Sequence, residues 1–347
     1  MERPFSKTTL GSSVAGMFAS AIQGKTILIT GVSPKGLGGT LADILAAQAP
    51  KTLVLASRTA SKVQEIIDQL RSRFPHVHCI AVSLDLSSQT SCRDAAAVIL
   101  NHPNIEQIDV VINNAAIMSP PTRQLSPEGI ELQFATNHLG HFLLTNLIMP
   151  KIIAAAKKNR PGATRIVNVS SRAIAYSGVR FTDYNFEKRH ETMPEDEQPG
   201  YAALAETGRT IDPQATYTPE VAYGQSKTAN VLFSVELTDR LYKEHGILSF
   251  AVHPGALMTE LIRYGDVEKL SALLEKFKSL MKSLDEGAST PLVAAFDDQL
   301  EAPQGDGTGI YLSDCQPASA PAWATNSQYA KDLWKLSEEL VGQSFTA

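Results

Sequence analysis

Short apolar runs alternate along the chain with longer stretches in which apolar residues recur at helical spacing. Within the runs, polar and apolar positions do not alternate strictly, which is typical of strands covered on both faces. Their regular alternation with helical stretches predicts a parallel, doubly wound sheet of the Rossmann type. The predicted strands are TILIT (26–30), TLVLAS (52–57), HCIAVSL (78–84), DVVIN (109–113), RIVNVS (165–170), LSFAVH (248–253) and GTGIYLS (307–313).

Helical spacing predicts the elements between these strands and at both ends of the chain. The stretch 9–22 is interpreted as a short packing helix. A weak signal-peptide core is the alternative, but serines and glycines interrupt the run and the first strand follows it at once. No uninterrupted apolar run approaches the roughly 20 residues that span a bilayer, so no transmembrane helix is predicted. The other helices are expected at about 37–48, 60–72, 90–100, 129–158, 220–244, 286–297 and 327–341.

Two segments depart from the alternation of strands and helices. Residues 178–222 carry nine Asp or Glu against four Lys or Arg, a local net charge of −5, and form an acidic insertion. Residues 258–284 have apolar positions at helical spacing and predict an amphipathic segment. It is either a lid over a substrate or simple core packing. With these two insertions, residues 1–347 are expected to form a single Rossmann-type domain.

Composition narrows the classes of partner. The 347 residues are 43% hydrophobic, which is ample for a large core. A net charge of −5, a pI near 5.9 and the absence of a Lys/Arg-rich run give no footprint for nucleic acid or an anionic membrane, so a small-molecule substrate is expected. The three widely spaced cysteines form no ligand motif and are interpreted as reduced residues of a cytoplasmic protein.

A glycine-rich loop follows the first predicted strand and opens into a helix. Glycines allow backbone to approach a pyrophosphate, and the amides at a helix N-terminus attract its charge. An ordinary glycine-rich turn is the alternative, but the strand–turn–helix context favours a dinucleotide site. Its candidate contacts are Gly31, Ser33, Lys35, Gly36, Leu37 and Gly38.

The end of the second predicted strand indicates which dinucleotide binds. NAD sites usually hold the ribose 2′-hydroxyl with an acid here, yet no Asp or Glu occurs between Asp43 and Glu65. Arg58 can make a bidentate contact with a 2′-phosphate, and Lys35 is expected to add a second cation. These residues favour NADP(H); the alternative is that Arg58 only stacks on adenine and both cofactors bind.

The ends of three further strands supply additional candidate cofactor contacts. Asp85 and Leu86 follow the third strand, where the carboxylate can accept a hydrogen bond from the adenine amine. Asn114 and Ala115 close the fourth strand at the edge where such sheets bind ligands. After the sixth strand, Pro254, Gly255 and Thr259 are expected to fix the nicotinamide ring, although a plain strand-to-helix turn is the alternative.

A Tyr-x-x-x-Lys pair carries the candidate chemistry. Tyr223 and Lys227 lie four apart on one helical face, so the ammonium would favour a phenolate and let Tyr223 exchange a proton with a substrate oxygen. Ser171 is expected to orient that oxygen, with Ser170 as the competing assignment. Asn137 is expected to hold a water in a proton path from Lys227. No metal site is predicted, since the nearby His138 and His141 have no acidic or cysteine partner at ligand spacing.

In this order, the motifs resemble those of the short-chain dehydrogenase/reductase superfamily from about Lys25 to Ser313. The resemblance implies a seven-stranded Rossmann sheet with helices on both faces and a catalytic tetrad matched by Asn137, Ser171, Tyr223 and Lys227. The segments RIVNVSS, NHLGHFLLT and GIYLSDC look like the retinol-dehydrogenase-like branch and its fungal relatives, many of which serve in secondary metabolism.

Three features depart from the family pattern. Four residues rather than the usual three separate Gly31 from Gly36, and Ala116 stands where Asn-Asn-Ala is usually followed by glycine. Tyr223 lies 52 positions after Ser171, far beyond the usual gap, so the acidic insertion is expected to shape the substrate mouth or an interface. Superfamily members often form oligomers through two long helices, here about 129–158 and 220–244, which leaves a homo-oligomer open.

The expected activity is NADP(H)-dependent interconversion of a ketone and a secondary alcohol on a lipophilic small molecule, such as a secondary metabolite. A non-redox cyclase, isomerase or dehydratase that uses the same pocket is the alternative, because the fold alone does not define the chemistry. A regulatory dinucleotide-binding protein would not need Tyr223 and Lys227 together.

Overall fold

The sheet is the centre of the structure, a computed structural model that describes residues 5–259, 261, 281–300, 302–303 and 307–346. Its parallel strands are β1 (Thr26–Thr30), β2 (Thr52–Ser57), β3 (His78–Ser83), β4 (Val110–Asn113), β5 (Thr164–Val169) and β6 (Ile247–His253), followed after the short β7 (Ala256–Leu257) and β8 (Met281–Lys282) by β9 (Tyr311–Ser313). The order β9-β6-β5-β4-β1-β2-β3 reverses direction beside β1 and confirms the predicted doubly wound Rossmann sheet.

An eighth strand, absent from the prediction, extends this sheet. β10 (Gln316–Pro317) pairs antiparallel with β9, placing Gln316 opposite Ser313. The two connecting residues, Asp314 and Cys315, both have positive φ (51° and 65°), as a tight hairpin turn requires. A two-residue strand has too short a pattern to be recognised from the sequence. β7 and β8 form a separate two-stranded parallel ribbon.

Helices cover both faces of the sheet, and each face has its own hydrophobic core. The central strand β1 is buried along its whole length, whereas the edge strand β3 alternates between buried and exposed positions. The helices are α1 (Gly11–Met17), α2 (Ala19–Ile22), α3 (Leu37–Ala46), α4 (Ala60–Arg73), α5 (Gln89–Asn101), α6 (Leu132–Phe134), α7 (Gly140–Leu147), α8 (Met149–Ala156), α9 (Tyr201–Glu206), α10 (Pro219–His245), α11 (Leu284–Phe296), α12 (Ala322–Thr325) and α13 (Ser327–Val341).

The single helix predicted over 129–158 is wrong in detail. α6 runs through a π-helical turn, Ala135–Leu139, into α7, and the chain then bends by 60° before α8. Pro150 lies in the first turn of α8, where its missing N–H costs no helical hydrogen bond, so the proline begins a new helix. In the described part of the chain no single helix is long and apolar enough to cross a membrane; only this bent pair, taken together, has the length and composition.

The two ends of the chain pack onto the sheet's helical layers. Ser12 of α1 donates through its backbone N–H and hydroxyl to Asp285 at the start of α11, both at 2.8 Å, as a packing helix should. At the other end, α13 covers α7 and α10. Trp334 packs edge-on against Phe142, with ring centroids 5.0 Å apart. The C-terminal helix α13 therefore packs against both α7 and α10.

The two predicted insertions differ in how far they are described. The acidic segment 178–222 is folded, with α9 and two short 3-10 turns. Most of the amphipathic segment 258–284 lies outside the described residues, so its role as a lid or as core packing stays a prediction.

Candidate active site

A cavity of about 790 Å³ opens at the carboxyl ends of the parallel strands, beside the neighbouring strands β1 and β4, where the strand order reverses. Most of the sequence-predicted site residues lie around it. Those lining the cavity are Gly31, Ser33, Gly36, Leu37, Arg58, Asp85, Leu86, Asn114, Ala115, Ser171, Tyr223, Lys227, Pro254, Gly255 and Thr259. Three predicted residues, Lys35, Gly38 and Asn137, are not part of this lining.

The glycine loop forms a backbone cradle. Gly31 has φ +72°, and a Cβ there would lie 2.6 Å from the Cα of Ala115. A Cβ on Gly38 would lie 2.6 Å from the carbonyl oxygen of Gly31, so this glycine lies directly behind the loop. The N-cap Gly36 offers no side chain to the first amides of α3, which leaves them for an anionic ligand. The loop therefore fits the pyrophosphate of a dinucleotide despite its extra residue.

Replacing Gly38 with alanine should weaken NADPH binding by about tenfold or more and lower stability by about 1–3 kcal/mol. The added Cβ meets rigid backbone at the loop, so the cradle must move. Gly16→Ala in α1 is the matched control, because a Cβ there meets nothing within 4 Å. Fluorescence titration with NADPH and thermal melting check both effects. Equal affinities in the two variants would contradict the tight approach at Gly38.

The carboxyl ends of β1 and β4 are held together by Thr30. Its Oγ1 accepts the backbone N–H groups of Asn114 at 2.9 Å and Ala115 at 3.0 Å. The side-chain amide of Asn114 donates to the carbonyl of Thr30 at 2.8 Å. These bonds fix the cavity wall. The Asn-Asn-Ala-Ala sequence contributes to this wall mainly through its backbone.

Two cationic side chains line the cavity near the end of β2. Arg58 is exposed and lines the cavity together with Ser57, Thr59 and Lys62. Lys62, in the first turn of α4, was not recognised from the sequence, although it lies four residues after Arg58. Lys35 is exposed and lies outside the lining. Lys62, and not Lys35, therefore lines the same cavity as Arg58.

Tyr223 and Lys227 meet Ser171 at the inner end of the cavity. Both lie in α10, and the Lys227 ammonium is 5.7 Å from the centroid of the Tyr223 ring. The side chain of Ser171 lies close enough to the Tyr223 hydroxyl to lower the pKa of that phenol. Lys227 Nζ donates to the carbonyl of Val169 at 2.9 Å, which ties it to the end of β5. A phenol, a hydroxyl and an amine therefore converge on one point.

The contacts also distinguish the role of Ser171 from that of Ser170. Ser170 is buried, and its hydroxyl donates to the carbonyl of Lys227 at 2.8 Å, so it anchors α10 to the sheet. Ser171 caps the following 3-10 turn and contacts Tyr223. The geometry favours Ser171 as the residue that orients a substrate oxygen.

Asn137 lies behind the cavity wall, in the π-helical turn. Its Oδ1 accepts the N–H of Ile117 at 2.8 Å, and its Nδ2 donates to the Ile117 carbonyl and to Ser226 Oγ, both at 2.9 Å. Ser226 in turn donates to the carbonyl of Tyr223 at 2.8 Å. Both Nδ2 hydrogens and one of the two Oδ1 lone pairs are engaged in these bonds, which connect Ile117 to α10. The proton path through Asn137 stays a prediction.

Burial dominates the protonation of the Tyr–Lys pair. It raises the pKa of Tyr223 above the ordinary value of a phenol, and the hydrogen bond from Ser171 offsets this only in part. Burial also lowers the pKa of Lys227 to about 7. The expected lowering of the Tyr223 pKa by Lys227 is not the leading influence here. Tyr223 is accordingly a protonated donor near neutral pH.

Another wall of the cavity comes in part from the acidic insertion 178–222, which was expected to shape the substrate mouth or an interface. Tyr176 lines it, and the Arg209 guanidinium lies 5.7 Å from the centre of the Tyr176 ring. Ala203 and Thr207 from α9 and its C-cap complete this side. The side-chain amide of Gln225 in α10 donates to the carbonyl of Tyr184 at 3.0 Å and anchors the insertion beside this helix. No sequence pattern signals these contacts, since they depend on tertiary packing.

The turn after β6 is supported by the side chain of Lys282. Gly255 has φ +97° and lies on the aliphatic part of Lys282, whose ammonium pairs with Asp314 at 2.6 Å. Thr259 accepts the N–H of Leu261 at 3.3 Å. This arrangement holds the Pro-Gly turn against the cavity. No group of three or more His, Cys, Asp or Glu side chains suited to a metal ion occurs in the described part of the chain.

Buried histidines make the fold sensitive to acid. Burial lowers the pKa of His138 to about 3 and those of His141, His190 and His253 to about 4, from 6.5. Below pH 6.5 the unfolded chain binds more protons than the folded one, so the unfolding free energy should fall as pH drops towards 4. The loss is about 1.4 kcal/mol per pH unit for each proton. Glu131, whose pKa burial raises to about 7, opposes this in part.

Urea unfolding at pH 7.5, 6.5 and 5.5 measures this dependence. His138→Gln is the control, since it removes one titrating imidazole and should make the decline shallower. A constant unfolding free energy over this range would contradict the neutral, buried state of these histidines.

A Rossmann sheet with a glycine cradle at one side of its cavity and a Ser–Tyr–Lys cluster at the other defines a class of proteins, the nicotinamide-dinucleotide oxidoreductases. The family model for short chain dehydrogenase matches residues 25–188. The chain belongs to the short-chain dehydrogenase/reductase family and to its retinol-dehydrogenase-like branch.

The comparisons that place it there cover most of the chain. It is 35% identical to oxidoreductase fscI of Fusarium equiseti over 260 residues, 75% of this chain and 98% of that protein. It is 32% identical to retinol dehydrogenase 12 of Mus musculus over 321 residues, 92% of this chain and 87% of that protein. An NADPH-bound carbonyl reductase from chicken fatty liver has the same fold, with a TM-score of 0.59 at 21% identity, covering 86% of this chain and 94% of that one.

Proposed function

We propose that this oxidoreductase uses NADP(H) to interconvert a ketone and a secondary alcohol on a lipophilic small molecule. One observation carries the proposal: Tyr223, Ser171 and Lys227 line the same cavity as the glycine loop and Arg58. The cofactor supplies the hydride when bound. The protein's residues bind it, hold the substrate carbonyl and move the proton.

The choice of a ketone or alcohol follows from the Tyr–Ser–Lys geometry. Ser171 is positioned to donate to a carbonyl oxygen, and the protonated Tyr223 can give its proton to that oxygen as it becomes an alcohol. In the reverse direction Tyr223 accepts the proton. Lys227, with its pKa lowered to about 7 by burial, lies where its charge favours the phenolate that is left behind.

The choice of NADP(H) rests on charge at the end of β2. Arg58 and Lys62 line the cavity there, and the lining residues nearest to them in sequence, Ser57 and Thr59, carry no negative charge. Two cations favour a 2′-phosphate, whereas the usual acid of an NAD site would repel it.

The lipophilic character of the substrate rests on the remaining wall. Apolar side chains favour a substrate with little charge near the reacting carbon. A secondary metabolite fits this description, in line with the similarity to fungal relatives. The apolar residues on this wall are Ile117, Met118, Leu257, Leu261 and Met281.

The first experiment is a titration of the purified protein with NADPH and with NADH, followed by nicotinamide fluorescence. Tight NADPH binding with weak NADH binding, followed by ketone-dependent loss of nicotinamide absorbance, is the expected result. No binding of either cofactor would overturn the proposal. Turnover of a substrate without any change in nicotinamide absorbance would favour a non-redox enzyme.

A further inference from the structure

His141 is a buried side chain that the proposed reaction does not use directly. It lies in the first turn of α7, is 1% exposed and does not line the cavity. Its Nδ1 is 3.0 Å from the backbone carbonyl oxygen of Asn137, and its Nε2 is 2.8 Å from the hydroxyl of Thr30. The ring thus spans the gap between the π-helical turn of Asn137 and the end of β1.

The partners of this imidazole determine which nitrogen carries the proton. The carbonyl of Asn137 can only accept, so Nδ1 must be the donor. Thr30 Oγ1 already accepts two backbone N–H groups, those of Asn114 and Ala115. Its own hydrogen is therefore free to be donated to an unprotonated Nε2. All partners are satisfied by one neutral tautomer and by no other arrangement.

The result is a directed chain of hydrogen bonds. It runs from the amides of Asn114 and Ala115 to the Thr30 hydroxyl, from that hydroxyl to His141, and from His141 to the carbonyl of Asn137. At one end is the cavity wall at β4. At the other end is the turn whose Asn137 side chain binds Ser226, three residues after Tyr223 on the catalytic helix.

We propose that His141 is a positioning residue that keeps the cofactor-facing end of β4 in register with the Asn137 turn and, through it, with Tyr223 and Lys227. The imidazole does so as a neutral Nδ1–H tautomer clamped between two fixed partners. This inference rests on the proposed function for its kinetic consequence, since hydride and proton transfer need the two walls aligned. The tautomer of His141 and its hydrogen bonds do not depend on the proposed function.

Protonation would break this chain rather than strengthen it. A second N–H at Nε2 would face a hydroxyl oxygen whose lone pairs are both occupied. Burial also disfavours a positive charge on this ring and lowers its pKa to about 4, and the Lys227 ammonium adds to that effect. The clamp therefore stays neutral throughout the physiological pH range.

Three variants break the chain at different points. His141→Asn keeps a donor near the Nδ1 position but loses the link to Thr30. His141→Gln keeps a group near the Nε2 position but loses the link to Asn137. Thr30→Val removes the hydroxyl. We expect kcat to fall about 10- to 100-fold in each, with less than about a threefold change in the KM of the ketone, because alignment rather than binding is lost.

His138→Gln is the matched control. His138 is equally buried in the same segment, but its Nε2 binds Ser337 of α13 at 2.8 Å, away from the cavity. Its kcat should stay within about twofold of the wild type, whatever its thermal stability. In addition, His141→Gln combined with Thr30→Val should lose no more than the worse single variant, because both remove one chain.

The tautomer gives a readout that needs no turnover. In the protein labelled with ¹⁵N-histidine, long-range proton–nitrogen NMR should show His141 protonated at Nδ1 only and unchanged between pH 6 and pH 8. A proton on Nε2, or a titration in this range, would overturn the inference even if the enzyme is active. So would wild-type kcat in both His141 variants, or an equal loss in His138→Gln. Absence of any nicotinamide-dependent turnover in the wild type would overturn the proposed function and leave the tautomer result standing.

Discussion

Replacing Tyr223 with phenylalanine will lower kcat by about 10²- to 10⁴-fold while the Kd for NADPH stays within about twofold of the wild type. The substitution removes one oxygen atom from a side chain that is 7% exposed and otherwise packed. Its ring still fits the cavity wall, so the loss falls on proton transfer and not on cofactor binding. Stopped-flow or steady-state absorbance with a ketone substrate measures kcat, and fluorescence titration measures Kd.

Tyr311→Phe is the matched control for this variant. Tyr311 is also buried, and burial raises the pKa of its phenol too, but it does not line the cavity and its hydroxyl has no hydrogen-bond partner among the described residues. Removing that hydroxyl should leave kcat unchanged and stability equal or slightly higher, because an unpartnered buried hydroxyl is costly. Substantial activity in Tyr223→Phe would remove Tyr223 from the role of proton donor.

The strands were predictable because burial on both faces leaves a local signature. β1 is buried at all five positions, and its sequence, TILIT, shows it without reference to any other part of the chain. The break between α7 and α8 was harder to predict from the sequence. Pro150 lies inside an apolar run whose helical spacing continues on either side, so the periodicity alone predicts one helix.

The cavity lining was predictable where a recognisable motif is present. The glycine loop follows β1, and parallel strands bring their carboxyl ends to one edge. Tyr223 and Lys227 lie within α10 and were indicated by their four-residue spacing. Ser170 and Ser171 are adjacent and chemically identical, so only the hydrogen bond from Ser170 to the carbonyl of Lys227 separates them. The wall from α9 lies in a long insertion whose path depends on buried contacts such as those of Gln225.

The second cation near the adenosine end of the cavity also could not be identified from a sequence motif. Lys35 was expected there because it precedes Gly36 in the loop, yet the loop's turn leaves Lys35 exposed and outside the lining. Lys62 reaches the cavity because it begins the helix that follows Arg58. Closeness in sequence to a motif is thus a weaker predictor of whether a residue lines the cavity than the direction of the helix or strand that carries the residue.

The charges at the end of β2 lead to the second large predicted effect, a change in cofactor preference. Arg58→Asp should shift the ratio of kcat/KM for NADPH over NADH by about 100-fold or more towards NADH, since an attractive charge beside the 2′-phosphate becomes a repulsive one. A hundredfold shift corresponds to about 2.7 kcal/mol. Because Arg58 is exposed, raising the ionic strength should shrink the effect.

Lys35→Asp and Lys62→Asp separate the two accounts of the second cation, since both make the same charge change within a few residues of the cavity. If Lys62 faces the phosphate, Lys62→Asp should shift the cofactor ratio by about tenfold, while Lys35→Asp should shift it by less than about twofold. The opposite ranking would return Lys35 to the phosphate site. An unchanged ratio in Arg58→Asp would mean that this arginine stacks on adenine and that charge at the end of β2 does not select the cofactor. Equal shifts in all three variants would show that the protein's overall field, and not a local contact, favours the extra phosphate.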